Sequence, residues 1–353
     1  MWLLSVEFGK IYGSYKKPKY KANKLCLQIV DKAVRNGYYN NIMKVNETFA
    51  DIKILSPEAS LENGCAVAVG SFDGVHLGHR SLIKKLVAEA KNRGVPAVVF
   101  TFSAEDSPKN GVLLLAQEDK KERLLASLGV DAVVSAPFSA VREMSAERFA
   151  RGFLFEELGA KCVVCGYDFR FGADRAGDAT LIKSLLSPNG VAVYACPSLD
   201  IGGKPISSTD IRALIAEGRV EEANALLGRE FSFSSEIVHG ASLGRTLGFP
   251  TLNQNYPSRL APLRFGVYAT LAELKGVLYR GVTNFGIKPT VQNGALPISE
   301  TYLFDYSGDC YGEIAEIRFK SFIRGEKRFS SLEELKAQVE LDKLSALNRL
   351  TKE

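Results

Sequence analysis

A change of rhythm near residue 228 constrains the fold more than any other feature of the chain. Before it, short continuous apolar runs alternate with stretches of helical periodicity. Cys65–Val69, Ala97–Phe102, Asp131–Ser135, Lys161–Cys165 and Val191–Ala195 read as buried strands. The intervening helices are predicted over His79–Arg93, Lys120–Leu128, Ser145–Leu158 and Ala179–Leu186, with Gly94 ending the first and Ser145 capping the third. Strand–helix alternation with fully apolar strands predicts a parallel sheet covered on both faces, with ligands at the carboxyl ends of the strands. After residue 228 the segments Phe231–Val238, Gly266–Ala272, Val277–Asn284, Glu300–Tyr306 and Ile314–Phe319 are short and β-rich, separated by Gly, Pro, Asn and Ser. That texture predicts an antiparallel barrel or sandwich, closed by a serine-capped helix over Ser331–Leu341. At 353 residues two domains are expected, with the boundary near 222–230.

Charge and cysteine content narrow the function classes. The net charge of +5 sits in residues 1–43, where eight basic groups face two acidic ones; the other 310 residues carry 37 basic and 38 acidic groups. Such a balance lacks the footprint of a nucleic-acid binder. Residues 1–43 are expected to be a flexible basic extension or the product of an upstream start, with Met43 beginning the domain-like sequence. Six scattered cysteines make no disulfide framework. Cys162 and Cys165 form a C-x-x-C inside an apolar strand, where positions three apart face opposite sides, so buried thiols are expected rather than a redox or zinc pair. No apolar run reaches 18 residues and no signal-peptide pattern is present, which predicts a cytoplasmic protein without a membrane segment.

The first chemical constellation is Gly70-Ser71-Phe72-Asp73-Gly74-Val75-His76-Leu77-Gly78-His79, placed between a strand and a helix. Glycines at 70, 74 and 78 allow a tight turn and close approach of a ligand, and the following helix aims its amides at that turn. His76 and His79, two of only three histidines, can hydrogen-bond charge developing on a triphosphate. A mere histidine-capped turn is the plainer reading, and H-x-G-H in this strand–helix context outweighs it. Gly166-Tyr167-Asp168-Phe169-Arg170-Phe171-Gly172 follows another strand, and Ile206-Ser207-Ser208-Thr209-Asp210-Ile211-Arg212 opens a helix. Either segment alone is weak evidence.

In this order the three segments resemble the FMN adenylyltransferase module of prokaryotic FAD synthetases. The resemblance implies an α/β nucleotidyltransferase domain over 44–222 that transfers AMP from ATP to the FMN phosphate. It implies that His76, His79 and Arg212 are catalytic, that Gly70, Phe72, Gly74, Gly78, Ser207, Ser208 and Thr209 hold the nucleotide, and that Asp168 and Arg170 face the flavin. Two positions depart from the family pattern. Thr101-Phe102-Ser103-Ala104-Glu105-Asp106 replaces T-F-x-P-H-P, and Asp210 stands where an arginine is usual. Both exchanges set carboxylates near anionic substrates.

The second constellation runs from Gly244-Arg245-Thr246-Leu247-Gly248-Phe249-Pro250-Thr251-Leu252-Asn253 through Gly281–Thr290, Glu300, Tyr311-Gly312 and Phe322–Glu326. Glycines around Arg245 suit a phosphate loop, and the oxygens of Thr251 and Asn253 suit Mg²⁺. This series resembles the riboflavin kinase barrel over 227–342, leaving 343–353 as a tail. The resemblance implies γ-phosphoryl transfer from ATP to the riboflavin 5′-hydroxyl. In it Glu300 is the base, Gly244, Arg245 and Gly248 hold nucleotide, Thr251 and Asn253 hold metal, and Asn284 and Arg324 contact flavin. Tyr302 replaces a common histidine. The leading expectation is an enzyme taking riboflavin, FMN and ATP, with FMN and FAD as products rather than prosthetic groups, acting as a monomer or weak homo-oligomer. The alternatives are a riboflavin kinase with a weakened nucleotide-binding module, and a flavin-sensing regulatory protein.

Overall fold

The computed structural model describes residues 52–55, 61, 63–102, 113–240, 249–287 and 297–351. Residues 1–43, Glu105, residues 244–248 and residues 288–290 lie outside them. The chain divides after Ser208 into two compact units, ahead of the composition change near 228.

In the first unit the elements run β1 (Lys53–Leu55), β2 (Cys65–Val69), α1 (Leu77–Arg93), β3 (Ala97–Phe102), α2 (Glu118–Ser127), β4 (Ala132–Ala136), α3 (Phe138–Arg142) and α4 (Arg148–Glu157). They continue with β5 (Ala160–Gly166), β6 (Arg170–Phe171), β7 (Gly177–Asp178), α5 (Ala179–Leu186), β8 (Ala192–Cys196), β9 (Asp200–Ile201) and β10 (Lys204–Pro205). Six strands form one parallel sheet in the order β1-β4-β3-β2-β5-β8. From β2 the chain winds outward through β3 and β4, and from β5 it winds the other way to β8. The switch point therefore falls between β2 and β5, where a parallel sheet opens its ligand crevice.

Alternation sorts the strand residues onto two cores. Val67, Val69, Phe100 and Cys165 pack with Phe149, Phe153, Ile182 and Leu186 of α4 and α5. Ala66, Ala68, Val99 and Cys162 pack with Ile83, Leu86, Leu124 and Leu125 of α1 and α2. Cys162 and Cys165 thus face opposite layers, and burial pushes their thiols up to about 11 and about 12 respectively. The predicted helix from Ser145 is present, and the Ser145 hydroxyl accepts from Arg148 N at 3.1 Å. It is wound as a π-helix, a form that periodicity does not announce.

The second unit begins at Thr209, within α6 (Ser208–Glu217), and continues with α7 (Val220–Leu227). The strands β11 (Phe231–Val238), β12 (Thr251–Asn255), β13 (Gly266–Leu274), β14 (Val277–Ile287), β15 (Pro297–Leu303) and β16 (Ile314–Gly325) follow, and α8 (Leu332–Leu350) ends the chain. The six strands close an antiparallel barrel in the order β11-β12-β15-β14-β13-β16. Phe231, Phe233, Tyr268, Phe285 and Phe319 fill its interior. Beside them Thr270, Thr283 and Thr301 link their hydroxyls at 2.8 Å each, satisfying buried polar groups across three strands. Asn224 of α7 ties that helix to the barrel, donating to Phe319 O at 2.8 Å and accepting from Phe231 N at 2.7 Å.

Three sequence expectations are corrected here. The strand expected over Glu300–Tyr306 ends at Leu303 in β15, because Asp305 turns at φ +61°. The Thr251–Asn255 motif is itself a strand. The final helix continues to Leu350, since Ala346, Leu347 and Leu350 pack on Val267, Val282 and Phe304; most of the expected tail is helix.

Candidate active sites

In the first unit β2 delivers the chain to Gly70 at the switch point. Phe72 takes a left-handed conformation (φ 48°) with its ring 1% exposed, packed so closely under Gly70 that a Cβ there would lie 3.2 Å from it. Gly74 (φ 76°) and Val75 (φ 41°) stay on the positive side, an uncommon geometry for a β-branched residue and one concentrated at functional sites. Asp73 anchors the turn. Its Oδ1 accepts from Leu115 N at 2.8 Å, and its carbonyl accepts from the Ser208 hydroxyl at 3.2 Å.

The turn sets His76 in an extended conformation as the N-cap of α1, where its Nδ1 accepts from His79 N at 3.4 Å. The two imidazoles stack with centroids 3.6 Å apart. Gly78 must be small, because a Cβ would meet the His76 ring at 3.1 Å. Burial first, and the neighbouring His76 second, hold His79 well below the ordinary imidazole range. Its Nδ1 has no hydrogen-bond partner among the described residues. A neutral imidazole and the open amides of a helix N-terminus together form a site suited to phosphate. Across the switch point, β5 ends at Gly166 and presents Asp168 and Arg170; Arg170 is exposed, with Nη1 donating to Phe169 O at 3.1 Å.

In the second unit the barrel register assembles a row. Asn253 stands opposite Glu300, Glu300 opposite Asn284, Asn284 opposite Val267, and Val267 opposite Arg324. Partners in adjacent antiparallel strands project to the same face, roughly 5 Å apart. Ser299 and Thr301 point into the barrel and are fully buried, so Glu300 points out, on the side where α8 lies. Glu300 and Asn284 are half-buried, and neither side chain has a partner among the described residues. Asn253 Nδ2 donates to Thr251 O at 3.2 Å, which leaves its Oδ1 uncommitted among the described residues.

One end of this row adjoins a pocket lined by Pro250, Thr251, Leu303, Tyr306, Asp309 and Tyr311, with His239 stacked on Tyr311 at 3.7 Å. At the other end Arg324 is gripped by Asp342 of α8, Nε to Oδ1 at 2.8 Å and Nη2 to Oδ2 at 2.6 Å.

Sequence comparison agrees with both halves. The FAD synthetase family matches residues 58–210, and the riboflavin kinase family matches residues 227–350. The bifunctional riboflavin kinase/FMN adenylyltransferase of Escherichia coli K12 is 36% identical over 293 residues, covering 81% of this chain and 92% of that protein. The chain belongs to the bifunctional riboflavin kinase/FMN adenylyltransferase family. The Haemophilus influenzae member is 35% identical over 285 residues, covering 79% of this chain and 92% of its own length. A solved Streptococcus pneumoniae structure, of a protein named for macrolide efflux, shares 29% identity with a TM-score of 0.77, covering 84% of this chain and 99% of that one. Among the described residues here, no helix is long and apolar enough to cross a membrane.

Of the family residues expected from sequence, the structure groups Gly70, Phe72, Gly74, His76, Gly78, His79 and Ser208 around one turn. Ser207 precedes Ser208 directly, while Thr209, Asp210 and Arg212 follow on the first turn of α6, beyond the break between units. Asn253, Glu300, Asn284 and Arg324 share the barrel row, and Thr251 lines the pocket near its end. Gly244, Arg245 and Gly248 lie outside the described residues. Tyr302 keeps a ring at the histidine position, edge-on to Phe304 and 4.8 Å under the Lys343 ammonium.

Two contributors escaped the sequence reading. A Cβ on Gly240 would fall 2.4–2.5 Å from the Asn253 amide, so only glycine lets the chain pass over that side chain. Asp342, 2% exposed, holds Arg324 from a helix 18 residues away. The His239-Gly240 pair hinted at the first, and nothing in the helix periodicity singled out the second.

Proposed function

We propose that this chain makes FMN from riboflavin and FAD from FMN, spending ATP at two separate sites, with the adenylyltransferase module within 44–222 and the kinase module from 227 onward. The observation that carries the kinase assignment is the row of Asn253, Glu300 and Asn284. A carboxylate without a partner among the described residues sits between two amides, near a pocket lined by Thr251 and Tyr311. There Glu300 accepts the proton of the riboflavin 5′-hydroxyl as its oxygen bonds to the γ-phosphorus and ADP leaves. Asn284 and Arg324 line the flavin side of the row.

The hard-oxygen set of Thr251 and Asn253 suits Mg²⁺ carried in on ATP. No cluster of three or more His, Cys, Asp or Glu side chains placed to hold a metal exists among the described residues, and a phosphate-bound Mg²⁺ needs only one or two protein oxygens. The ion supplies charge neutralisation for the transferring phosphoryl group; the chain's residues hold and orient the substrates.

In the first unit an FMN phosphate oxygen attacks the α-phosphorus of ATP and pyrophosphate departs. The α1 N-terminus, His76, His79 and the Ser208 hydroxyl face the charge that builds on the leaving group. Asp168 and Arg170 flank the flavin side, and Arg212 is the catalytic cation that the family resemblance implies. Buried, unpaired thiols fit a reducing cytoplasm, and the molecule acts as a monomer or weak homo-oligomer. One feature favours a second reading, kinase activity alone: Asp210 places a carboxylate in the first turn of α6. Incubating purified protein with riboflavin, ATP and Mg²⁺ and chromatographing the flavins separates the two. FAD supports both sites, FMN alone supports the second reading, and unchanged riboflavin defeats both.

A further inference from the structure

Arg80 directly follows His79 in the first turn of α1. Its Nε donates to the carbonyl oxygen of Val75 at 3.3 Å, reaching back across the turn that leads into His76. That is the side chain's one hydrogen bond among the described residues, so neither Nη has a partner there and no carboxylate there balances the charge. Burial depresses its pKa, the direction taken by a cation withdrawn from water without a counter-ion. The side chain is only partly buried, so its Nη groups stay open to solvent and to an anionic ligand.

The surroundings say which anion that would be. Arg80 lies four residues beyond His76, on the same side of the helix. The carbonyl it holds belongs to Val75, whose positive φ the turn must sustain for His76 to cap α1. With Nε committed to that carbonyl, the guanidinium is fixed at the mouth of the helix N-terminus with its Nη edge unused. A planar fork so presented matches two oxygens of a phosphate.

We propose that Arg80 is a further phosphate-binding residue of the adenylyltransferase site, taking the β- and γ-phosphates of ATP and then the departing pyrophosphate. The proposal rests on the adenylyltransferase reading above. As the FMN oxygen bonds to the α-phosphorus, the bond from that phosphorus to the bridging oxygen breaks and its electron pair passes to pyrophosphate. Arg80 stands as the counter-charge to that group, while its Nε keeps the turn that orients His76.

The test uses the full-length chain carrying Arg80→Gln or Arg80→Lys. It measures FAD formation from FMN and ATP, and the reverse reaction of FAD with inorganic pyrophosphate. A wild-type chain that makes no FAD overturns the adenylyltransferase reading itself. Given wild-type activity, Arg80→Gln is expected to raise KM for ATP and for pyrophosphate about tenfold or more, with KM for FMN unchanged. Arg80→Lys, which keeps the charge and loses the fork, should fall between. Unchanged KM values for ATP and pyrophosphate in Arg80→Gln overturn the proposal. Should that variant fail to fold, Arg80→Lys decides alone: a raised KM for pyrophosphate supports the role, and an unaltered one refutes it.

Discussion

Glu300 and Asn253 stand directly opposite one another in β15 and β12, with Asn284 on the far side of Glu300 in β14. The carboxylate is thus placed by two strand pairings rather than by a hydrogen bond of its own, and both its oxygens stay uncommitted among the described residues. Replacing Glu300 by Gln keeps the shape and removes the proton acceptor. Kinase turnover should drop by about 10² to 10⁴-fold, with thermal unfolding little changed. Full activity in the purified variant would mean that the base lies elsewhere.

Gly240 provides a second handle on the same row, from a residue with no side chain. A methyl group at this position would overlap the Asn253 amide, so Gly240→Ala must push Asn253 or the chain aside. A displacement near 1 Å at a positioning group can lower activity by about 10²-fold. Kinase kcat/KM should fall to that degree while adenylylation of supplied FMN continues. Wild-type kinase kinetics in Gly240→Ala would show that Asn253 has no part in placing substrate.

Where the sequence was legible, it was because a local pattern has one physical solution. The apolar runs at Cys65 and Ala97 can only be buried strands, and C-x-x-C on such a run must split its thiols between two layers, as Cys162 and Cys165 do. The glycine-and-histidine turn likewise identifies itself, since Gly78 is required by the His76 ring pressed against it. The row was not legible, because register is a property of strand pairs: nothing near Asn253 or Glu300 states that they meet across β12 and β15. The π-winding of α4 and the reach of α8 to Leu350 depend on packing partners distant in sequence, and propensity near Leu341 could not foresee them.

Arg324 and Asp342 show the energetic side of such a distant pairing. Asp342 is almost wholly buried and also accepts from Gln338 Nε2 at 3.1 Å, so its charge is balanced mainly by Arg324. Truncating it as Asp342→Ala leaves a guanidinium that is mostly removed from water without its partner, a change that costs about 3 kcal/mol. Urea unfolding of the barrel should move to correspondingly lower denaturant. The flavin end of the row should loosen with it, so KM for riboflavin should rise more than kcat falls. A midpoint within error of wild type would show that α8 is held by its apolar contacts alone.

His79 links the architecture of the first unit to pH. Burial is the main reason its folded-state pKa lies well below the ordinary value of 6.5, with the stacked His76 adding to it. The unfolded chain therefore takes up a proton near pH 6.5 that the folded chain refuses until lower pH. Stability of this unit is fully present above pH 6.5 and falls as pH drops through 6.5 toward the depressed folded value, by at most about 1.4 kcal/mol per pH unit for one such group. Hydrogen exchange of the β2 and β3 amides between pH 7.5 and 5.5, corrected for the intrinsic pH dependence of exchange, reads that slope. In His79→Gln, which cannot titrate, the slope should flatten by the contribution of one proton. Equal slopes in the two proteins would mean that His79 accepts a proton in the folded state, which would turn the neutral hydrogen-bonding imidazole assigned to it into a cation.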